Sequence, residues 1–354
     1  MAGIDGNTPD PDGGRILKDA DGSPTGILID NAIDLAVAKR PAPTREEIRR
    51  RLSRAQEACL EAGLTGMHDM GTSAEELDVL REMDREGTLR MRIYSALSDD
   101  PELWSRELPA GPHRAGAGKR LTVRAVKLYA DGALGSRGAA LFEDYSDEGG
   151  NRGLFITPPD SLKSRARRAA EAGYQVCIHA IGDRGNQVAL DALAPMVEWA
   201  GYQDETSAAR DPRHRVEHVQ VLGPEDMPRF AELGIIASMQ PTHCTSDMPW
   251  APDRLGPERI KGAYAWRDLL ASGATLAFGS DFPIESHDPR FGLYAAVTRQ
   301  AVDGTPAEGW SPGQRLTLDE AITAFTWAAA FCAHQEDTLG RLTIGRTADM
   351  TVYD

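Results

Sequence analysis

Short apolar segments alternate with amphipathic, helix-length segments through most of the chain. From residue 160 onward the predicted helices cover 160–172, 186–200, 224–233, 264–272 and 290–302, and the predicted strands cover 175–179, 215–218, 235–239 and 274–278. A regular alternation of this kind is typical of a parallel sheet covered by helices. The pattern therefore predicts an α/β fold.

The first third of the chain continues the alternation. Thr44 and Glu47 form a capping-box pattern that begins a helix, and Gly63 ends it. Three more strands are predicted over 64–69, 89–96 and 122–130, with a helix over 74–86 between the first two. With the later strands this gives about seven strands, one fewer than the eight of a TIM-type (β/α)8 barrel. We therefore expect a barrel of this type that lacks its first strand.

The two ends of the chain differ from this pattern. Residues 15–17 and 26–28 predict a β-hairpin, because Asp-Gly turn sequences surround them. A helix predicted over 317–332 is followed by residues 340–354, where the pattern predicts a terminal strand. We assign residues 1–335 to the barrel and residues 336–354 to a separate segment.

Composition narrows the possible partners. The chain has 354 residues and a formal net charge of −15, which argues against binding to nucleic acid or to anionic membrane surfaces. No apolar run reaches the about 18 residues that a membrane helix needs. The four cysteines are scattered without a C-x-x-C pair, so we expect reduced thiols in a cytoplasmic protein.

Chemistry-bearing residues stand at the ends of several predicted strands. His179 and His218 each end an apolar strand, and Asp281 follows the strand 274–278. In a parallel barrel these ends share one face, so the two histidines and the aspartate predict a shared metal ion and a general base. The alternatives are hydrogen-bonded core histidines and a turn-capping aspartate before Pro283.

Lys127 lies within the apolar strand 122–130, where burial would favour its uncharged form. An uncharged amine can react with carbon dioxide to give a carbamate that bridges metal ions. The alternatives are a lysine that extends past the sheet edge or one that pairs with Asp131. His243, Asp131 and Arg184 are weaker candidates for substrate binding.

At these residues the sequence resembles the amidohydrolase superfamily, in particular amidohydrolase family 3 with its YtcJ-like and N-substituted formamide deformylase-like members. The matching segments cover nearly the whole chain in the expected order. They are Gly13–Gly14–Arg15–Ile16 through Pro24–Thr25–Gly26, Val126–Lys127 with Asp131–Gly132, Ile178 to Asp183, Arg215 to His218, Ser238 to Pro241, Gly279 to Pro283, and Leu339 to Asp349.

The resemblance implies a metal-dependent hydrolase barrel in which water activated by a divalent metal, usually zinc, attacks a C–N bond of a small amide or formamide rather than a peptide. Carried over, His179 and His218 would be metal ligands, Lys127 a carboxylated bridging ligand, and Asp281 both a ligand and the catalytic base. It also implies a β-sandwich built from both chain ends, to which residues 336–354 would belong.

One departure from the family pattern is important. The family carries an H-x-H pair on its first barrel strand, and this sequence contains no H-x-H. We therefore expect a chain truncated at both ends, with weak metal binding and little turnover. The alternative function is a catalytically inactive barrel remnant or a scaffold that depends on a partner, including a second copy of the chain. A metal-dependent phosphoesterase is a third option.

Overall fold

The computed structural model describes residues 2–201 and 210–353. A parallel seven-stranded sheet forms its centre, with the strands in sequence order β3 to β9, and a separate antiparallel hairpin is made of β1 and β2. The strands are β1 Gly14–Lys18, β2 Pro24–Asp30, β3 Gly66–Thr72, β4 Arg92–Leu97, β5 Leu121–Tyr129, β6 Gln175–Ala180, β7 Arg215–His218, β8 Ile236–Met239 and β9 Leu276–Phe278. The predicted α/β fold is confirmed.

Helices separate almost all of these strands in the described part of the chain. They are α1 Asp34–Val37, α2 Arg45–Glu61, α3 Ala74–Glu86, α4 Pro101–Glu107, α5 Pro159–Glu171, α6 Asp183–Gly201, α7 Met227–Glu232, α8 Pro241–Asp247, α9 Ala251–Arg259, α10 Trp266–Ala271, α11 Pro289–Thr298, α12 Leu318–Phe325 and α13 Trp327–Cys332. Short 3₁₀ turns cover Asn31–Ile33, Leu108–Ala110, Ile260–Gly262 and Pro312–Gln314. No described helix has both the length and the apolar composition needed to cross a membrane.

The sheet curls so that distant strands face each other. Arg215 on β7 contacts His68 on β3 through Nη1 and Nδ1, which are 2.7 Å apart, although three strands separate them in the sheet. The interior between them is filled by buried side chains from several strands, among them Tyr94 and Cys177. The result is a half-barrel, and its strands all direct their carboxyl ends to one face.

Local sequence signals explain several of the helix starts. Thr44 and Glu47 form the predicted capping box at the start of α2, and Thr317 and Glu320 form another at α12. The single helix predicted over 317–332 is wrong, because Thr326 has non-helical backbone angles and divides it into α12 and α13. Helix α4 is not among the predicted helices, although the Asp100 side chain caps it by accepting a hydrogen bond from the Leu103 amide.

The strand predicted over residues 340–354 is also wrong for the described residues 340–353, which contain no strand. Side chains hold this segment instead. Asp349 pairs with Arg92 at 2.6 Å, and the hydroxyls of Thr351 and Tyr353 donate to the carbonyls of Gly63 and Ala62. Without a neighbouring strand to exchange backbone hydrogen bonds, an apolar alternation is not enough to form a sheet. The assignment of residues 336–354 to a β-sandwich stays a prediction.

The predicted state of the cysteines is confirmed. Cys59, Cys177, Cys244 and Cys332 are all free and buried. They contribute apolar surface to the core and form no disulfide.

Candidate metal centre

Two of the predicted site residues have an unusual backbone conformation. His218 at the end of β7 has φ of 78°, and Asp281 after β9 has φ of 56°. Residues other than glycine rarely adopt positive φ, and doing so costs on the order of 1–3 kcal/mol. Such strain persists where the surrounding structure fixes it, and it is concentrated at functional sites. In both cases it directs a side chain at the carboxyl end of the sheet.

His218, His243 and Asp281 converge at this end of the sheet. Their potential ligand atoms all lie within 4.8 Å of one another. Nε2 of His243 is 3.7 Å from Oδ2 of Asp281, and the rings of His218 and His243 stack with centroids 5.8 Å apart. Two imidazoles and a carboxylate at this separation form a donor set that suits a divalent transition metal.

His179 stands beside this group. Its ring centroid is 4.5 Å from that of His218, in an edge-to-face arrangement. Its Nε2 is buried and has no hydrogen-bond partner among the described residues, and the same is true of Nε2 of His243. Buried polar nitrogens without partners are costly in a folded protein, so both nitrogens are open to a further ligand.

Hydrogen bonding and burial keep the histidines in the form that binds metals. Nδ1 of His218 is 2.9 Å from Oε1 of Gln240, which holds the ring proton on Nδ1 and leaves the lone pair on Nε2. Burial lowers the pKa of His218 well below its usual value, with His179 and Lys127 as further causes. Burial is also the main cause that lowers the pKa of His179 to about 3 and that of His243 to about 4. All three imidazoles are therefore neutral at pH 7.

Asp281 supplies the carboxylate of this group. Its side chain is 35 % exposed, yet burial still raises its pKa to about 6. A carboxylate of this basicity is ionised at neutral pH and can accept a proton from water. The alternative of an aspartate that only caps a turn is not favoured, since the turn bond here runs from the Ile284 amide to the backbone carbonyl of Asp281.

Lys127 is buried on β5, 4 % exposed, and its Nζ lies 4.8 Å from the centroid of the Tyr129 ring. Burial lowers its pKa, while the carboxylates of Glu217 and Asp281 act in the opposite direction. The alternative in which Lys127 extends to solvent is wrong because the side chain is enclosed. The alternative pairing with Asp131 is also wrong for the described residues, because the Asp131 carboxylate is bound elsewhere.

Asp131 connects two loops instead of lining an open site. Its carboxylate is completely buried and accepts three hydrogen bonds, from the backbone amides of Ala140, Ile181 and Gly182. Its Oδ1 is also 3.8 Å from Nε2 of His179. These contacts favour a structural role over the substrate contact predicted for Asp131, because backbone amides already occupy both oxygens.

Arg184 is exposed in the first turn of α6, and its guanidinium lies 4.9 Å from the centre of the Phe155 ring. Its predicted substrate contact stays a prediction. His243 comes closer to the centre than predicted, since it joins the donor set itself. No local pattern predicts this, because helix α8, which carries His243, lies in a stretch without periodic apolar residues.

A divalent metal fits the residues that are present. The donor set combines neutral imidazoles with a carboxylate, and two buried nitrogens, Nε2 of His243 within the set and Nε2 of His179 beside it, have no hydrogen-bond partner among the described residues. Three protein ligands with an open fourth position are the usual arrangement of a catalytic zinc ion. His218, His243 and Asp281 would be these three ligands, and His179, whose ring lies beside that of His218, is a further candidate.

The whole chain, residues 1–354, matches the family model described as "Amidohydrolase family". The chain belongs to the amidohydrolase family. Among its relatives, YtcJ of Bacillus subtilis, named as an amidohydrolase, is 34% identical over 99% of this chain and 64% of its own length. Protein LONG AFTER FAR-RED 3 of Arabidopsis thaliana is 33% identical over 99% of this chain and 60% of its own length.

Two further proteins similar to this chain extend the comparison. N-substituted formamide deformylase of Arthrobacter pascens is 25% identical over 100% of this chain and 65% of its own length. A solved structure of an uncharacterised metal-dependent hydrolase from Pyrococcus horikoshii is 30% identical and covers 97% of this chain, with a TM-score of 0.79. This chain corresponds to 65% of that structure. The chain thus spans slightly less than two thirds of the relatives it matches.

A buried polar group below the centre is not predicted by any pattern in the sequence. Arg215 pairs with Glu217 at 2.8 Å and donates to Ser238 at 2.9 Å. Both charged residues are almost fully enclosed, and a buried ion pair needs such additional hydrogen bonds. The sequence placed both residues in the segment Arg215 to His218, with Glu217 directly before His218, but it did not predict that they form a buried ion pair.

Proposed function

We propose that this chain carries the centre of a metal-dependent hydrolase. The observation that carries the proposal is the convergence of His218, His243 and Asp281 at the carboxyl end of the sheet, with ligand atoms within 4.8 Å of one another. The missing H-x-H pair led us to expect weak metal binding. Three converging donors in this chain favour binding instead, because three protein ligands suffice for a catalytic ion.

We infer that the bond cleaved is a C–N bond of the amide or formamide type and not a peptide bond. The family supports this inference, as does the name of the related N-substituted formamide deformylase. The substrate would be a small molecule. Zinc is the ion that the mixed imidazole and carboxylate donors suit best.

The proposed roles follow from position and basicity. A divalent ion, when bound, supplies Lewis acidity to a carbonyl group and to water. Asp281, with its pKa of about 6, would take a proton from water and pass it to the leaving amine. His218, His243 and Asp281 would hold the ion, and His179, beside His218, would be a further ligand.

A carboxylated Lys127 is part of the same proposal. The amine is enclosed and has no ion pair within 4.0 Å among the described residues, so no counter-charge in that part of the chain competes with carbamate formation. The carbamate would place a negative charge beside His179 and His218, where a second metal ion could bind. In this reaction the Lys127 amine adds to carbon dioxide and loses a proton, and mass spectrometry of the intact, undenatured protein would detect the carbamate as an added mass of about one carbon dioxide.

The first experiment measures metal content and activity together. The purified chain is loaded with zinc, dialysed, analysed by mass spectrometry for metal, and assayed on panels of small amides, formamides and phosphate esters. We expect about one zinc per chain and hydrolysis of C–N bonds only. His218→Ala and Asp281→Asn should lose most of the metal, whereas His113→Ala is the matched control, since His113 is exposed and remote in the chain.

The same experiment separates the alternatives. A well-folded chain that retains no metal and hydrolyses nothing would support the inactive remnant or scaffold. Preferential hydrolysis of phosphate esters would support the phosphoesterase.

The role of His243 is tested by its own variant. Because Nε2 of His243 lies 3.7 Å from Oδ2 of Asp281, we expect His243→Ala to lower the zinc content of the dialysed protein as His218→Ala does. A His243→Ala variant that keeps its zinc and shows only a raised KM would contradict this expectation. It would support the substrate contact predicted for His243 from the sequence.

A further inference from the structure

Tyr129 is the last residue of strand β5 and points into the half-barrel beside the candidate metal centre. In the register of β5 and β6, Lys127 stands opposite Cys177 and Tyr129 stands opposite His179. Alternate residues of a strand lie on the same face of a sheet, and Cys177 is packed in the interior. The Tyr129 side chain therefore lies inside the half-barrel, at its carboxyl end and next to His179.

Two neighbours fix the orientation of the Tyr129 ring. Its centroid is 5.6 Å from that of the His179 ring, with the two planes tilted by 42°, and the amine of Lys127 lies 4.8 Å from the same centroid. A ring that is held by packing carries its hydroxyl group to a defined position, as a residue that contacts substrate requires.

The hydroxyl group of Tyr129 is accessible to a ligand. The side chain is half-buried, and no residue in the described ranges 2–201 and 210–353 forms a hydrogen bond with its oxygen. That oxygen is not one of the enclosed polar atoms of the fold. A Cβ atom added at Gly71, near the carboxyl end of β3, would lie 3.7 Å from it. The hydroxyl thus reaches the mouth of the half-barrel on the side of β3.

The donor set lies across the mouth from this hydroxyl. Strand β3 faces β7 across the half-barrel, and the donor set draws on β7, α8 and the turn after β9. Burial raises the pKa of Tyr129. The carboxylates of Asp281, Asp99 and Asp69 raise it further. The proposed base, Asp281, is therefore within electrostatic range of Tyr129, and a small substrate between them can contact both.

We propose that Tyr129 is a catalytic residue whose hydroxyl donates a hydrogen bond to the carbonyl oxygen of the substrate. The inference rests on the proposed function, which places a carbonyl group in this mouth. A phenol has an ordinary pKa of about 10, so it carries its proton at neutral pH and is a suitable donor. Donors directed at a developing oxyanion are among the largest contributions to catalysis of acyl transfer.

The hydrogen bond acts while negative charge is on the carbonyl oxygen. The oxygen of water forms a bond to the carbonyl carbon, Asp281 accepts the water proton, and the carbonyl electron pair moves onto the oxygen. Tyr129 stabilises this charge and keeps its own proton. When the C–N bond breaks, the electron pair re-forms the C=O bond and the nitrogen leaves as an amine with the proton from Asp281.

Tyr129→Phe removes the hydroxyl and keeps the ring against His179 and Lys127. For the zinc-loaded chain acting on N-benzylformamide, we expect kcat to fall about 10²-fold, with KM changed less than about twofold. Zinc content and melting temperature should stay as in the unaltered chain. Tyr353→Phe is the matched control, since the hydroxyl of Tyr353 donates to the carbonyl of Ala62 at 2.9 Å, away from the centre.

A binding measurement tests the same contact without hydrolysis. Phenylphosphonate has negatively charged oxygens around a tetrahedral atom, as the substrate carbon has after water adds. It is titrated by calorimetry into the zinc-loaded chain and its variants. We expect Tyr129→Phe to bind it at least about tenfold more weakly, the loss of one hydrogen bond to a charged group. Tyr353→Phe should bind it as the unaltered chain does.

The outcomes separate this inference from the proposed function. An unchanged kcat, an unchanged affinity for phenylphosphonate, or a loss of zinc in Tyr129→Phe would each overturn the inference, even if amides are hydrolysed. An unaltered chain that does not bind phenylphosphonate would overturn it as well. Weaker phenylphosphonate binding by a Tyr129→Phe variant that keeps its zinc would support the inference, even if no amide is hydrolysed and the proposed function fails.

Discussion

Individual side chains in and around the candidate centre owe their protonation states to burial. Burial keeps the three histidines neutral and raises the pKa of Asp281 to about 6. The sequence predicted which residue types stand at the strand ends, since His179, His218 and Asp281 each follow an apolar run. Their protonation states were not, because these depend on solvent exclusion by residues distant in the chain.

Asp247 offers a test of this effect outside the donor set. It accepts hydrogen bonds from Gln220 and Tyr264, and burial raises its pKa from 3.8 to about 6. Between these pH values the folded state binds more protons than the unfolded state, so the free energy of unfolding falls as pH rises. We expect this loss to amount to at most about 3 kcal/mol between pH 4.5 and pH 7.

Asp247→Asn should remove that part of the pH dependence. Urea unfolding of the two proteins across this range provides the measurement, and the difference between them isolates Asp247 from other groups. Parallel curves for the variant and the unaltered chain would show that Asp247 has an ordinary pKa in the folded state.

Loops that follow the strands determine where the side chains at the strand ends lie. The loop after β5 is attached to the turn after β6 by the Asp131 carboxylate and by close backbone packing. A Cβ atom added at Gly182 would overlap the backbone of Ala140. This arrangement places His179, at the end of β6, next to His218.

Gly182→Ala should therefore disturb the loop pair. We expect it to lower the free energy of unfolding by about 1–3 kcal/mol, because overpacking forces the backbone apart, and to reduce zinc retention by moving His179. Gly149→Ala is the matched control, since a Cβ at Gly149 would meet nothing within 4 Å. Urea unfolding and metal analysis of both variants give the comparison, and equal stability of the two would refute the packing argument.

At the scale of the whole molecule, metal binding should raise the free energy of unfolding. The donor set draws on β7, α8 and the turn after β9, which are separated in the chain and brought together by the curled sheet. A ligand that binds only the folded state stabilises it. At about 100 times its dissociation constant, zinc should add about 2.7 kcal/mol to the free energy of unfolding.

Differential scanning calorimetry with and without zinc measures this effect. The melting temperature should rise with zinc and fall back when a chelator is added. Asp281→Asn should lose most of the rise, whereas His113→Ala should keep it. A melting temperature that zinc does not change would argue against a folded metal site in this chain.

The sequence by itself determined the order of the seven parallel strands, the longer helices that alternate with them, and the strand ends that carry His179, His218 and Asp281. These features depend on local periodicity and capping, as at Thr44 and Thr317. Tertiary structure alone decided that His243 joins the donor set, that Asp131 is bound by backbone amides, and that residues 340–353 form no strand. Each of these outcomes depends on contacts between residues far apart in the chain, which no local pattern encodes.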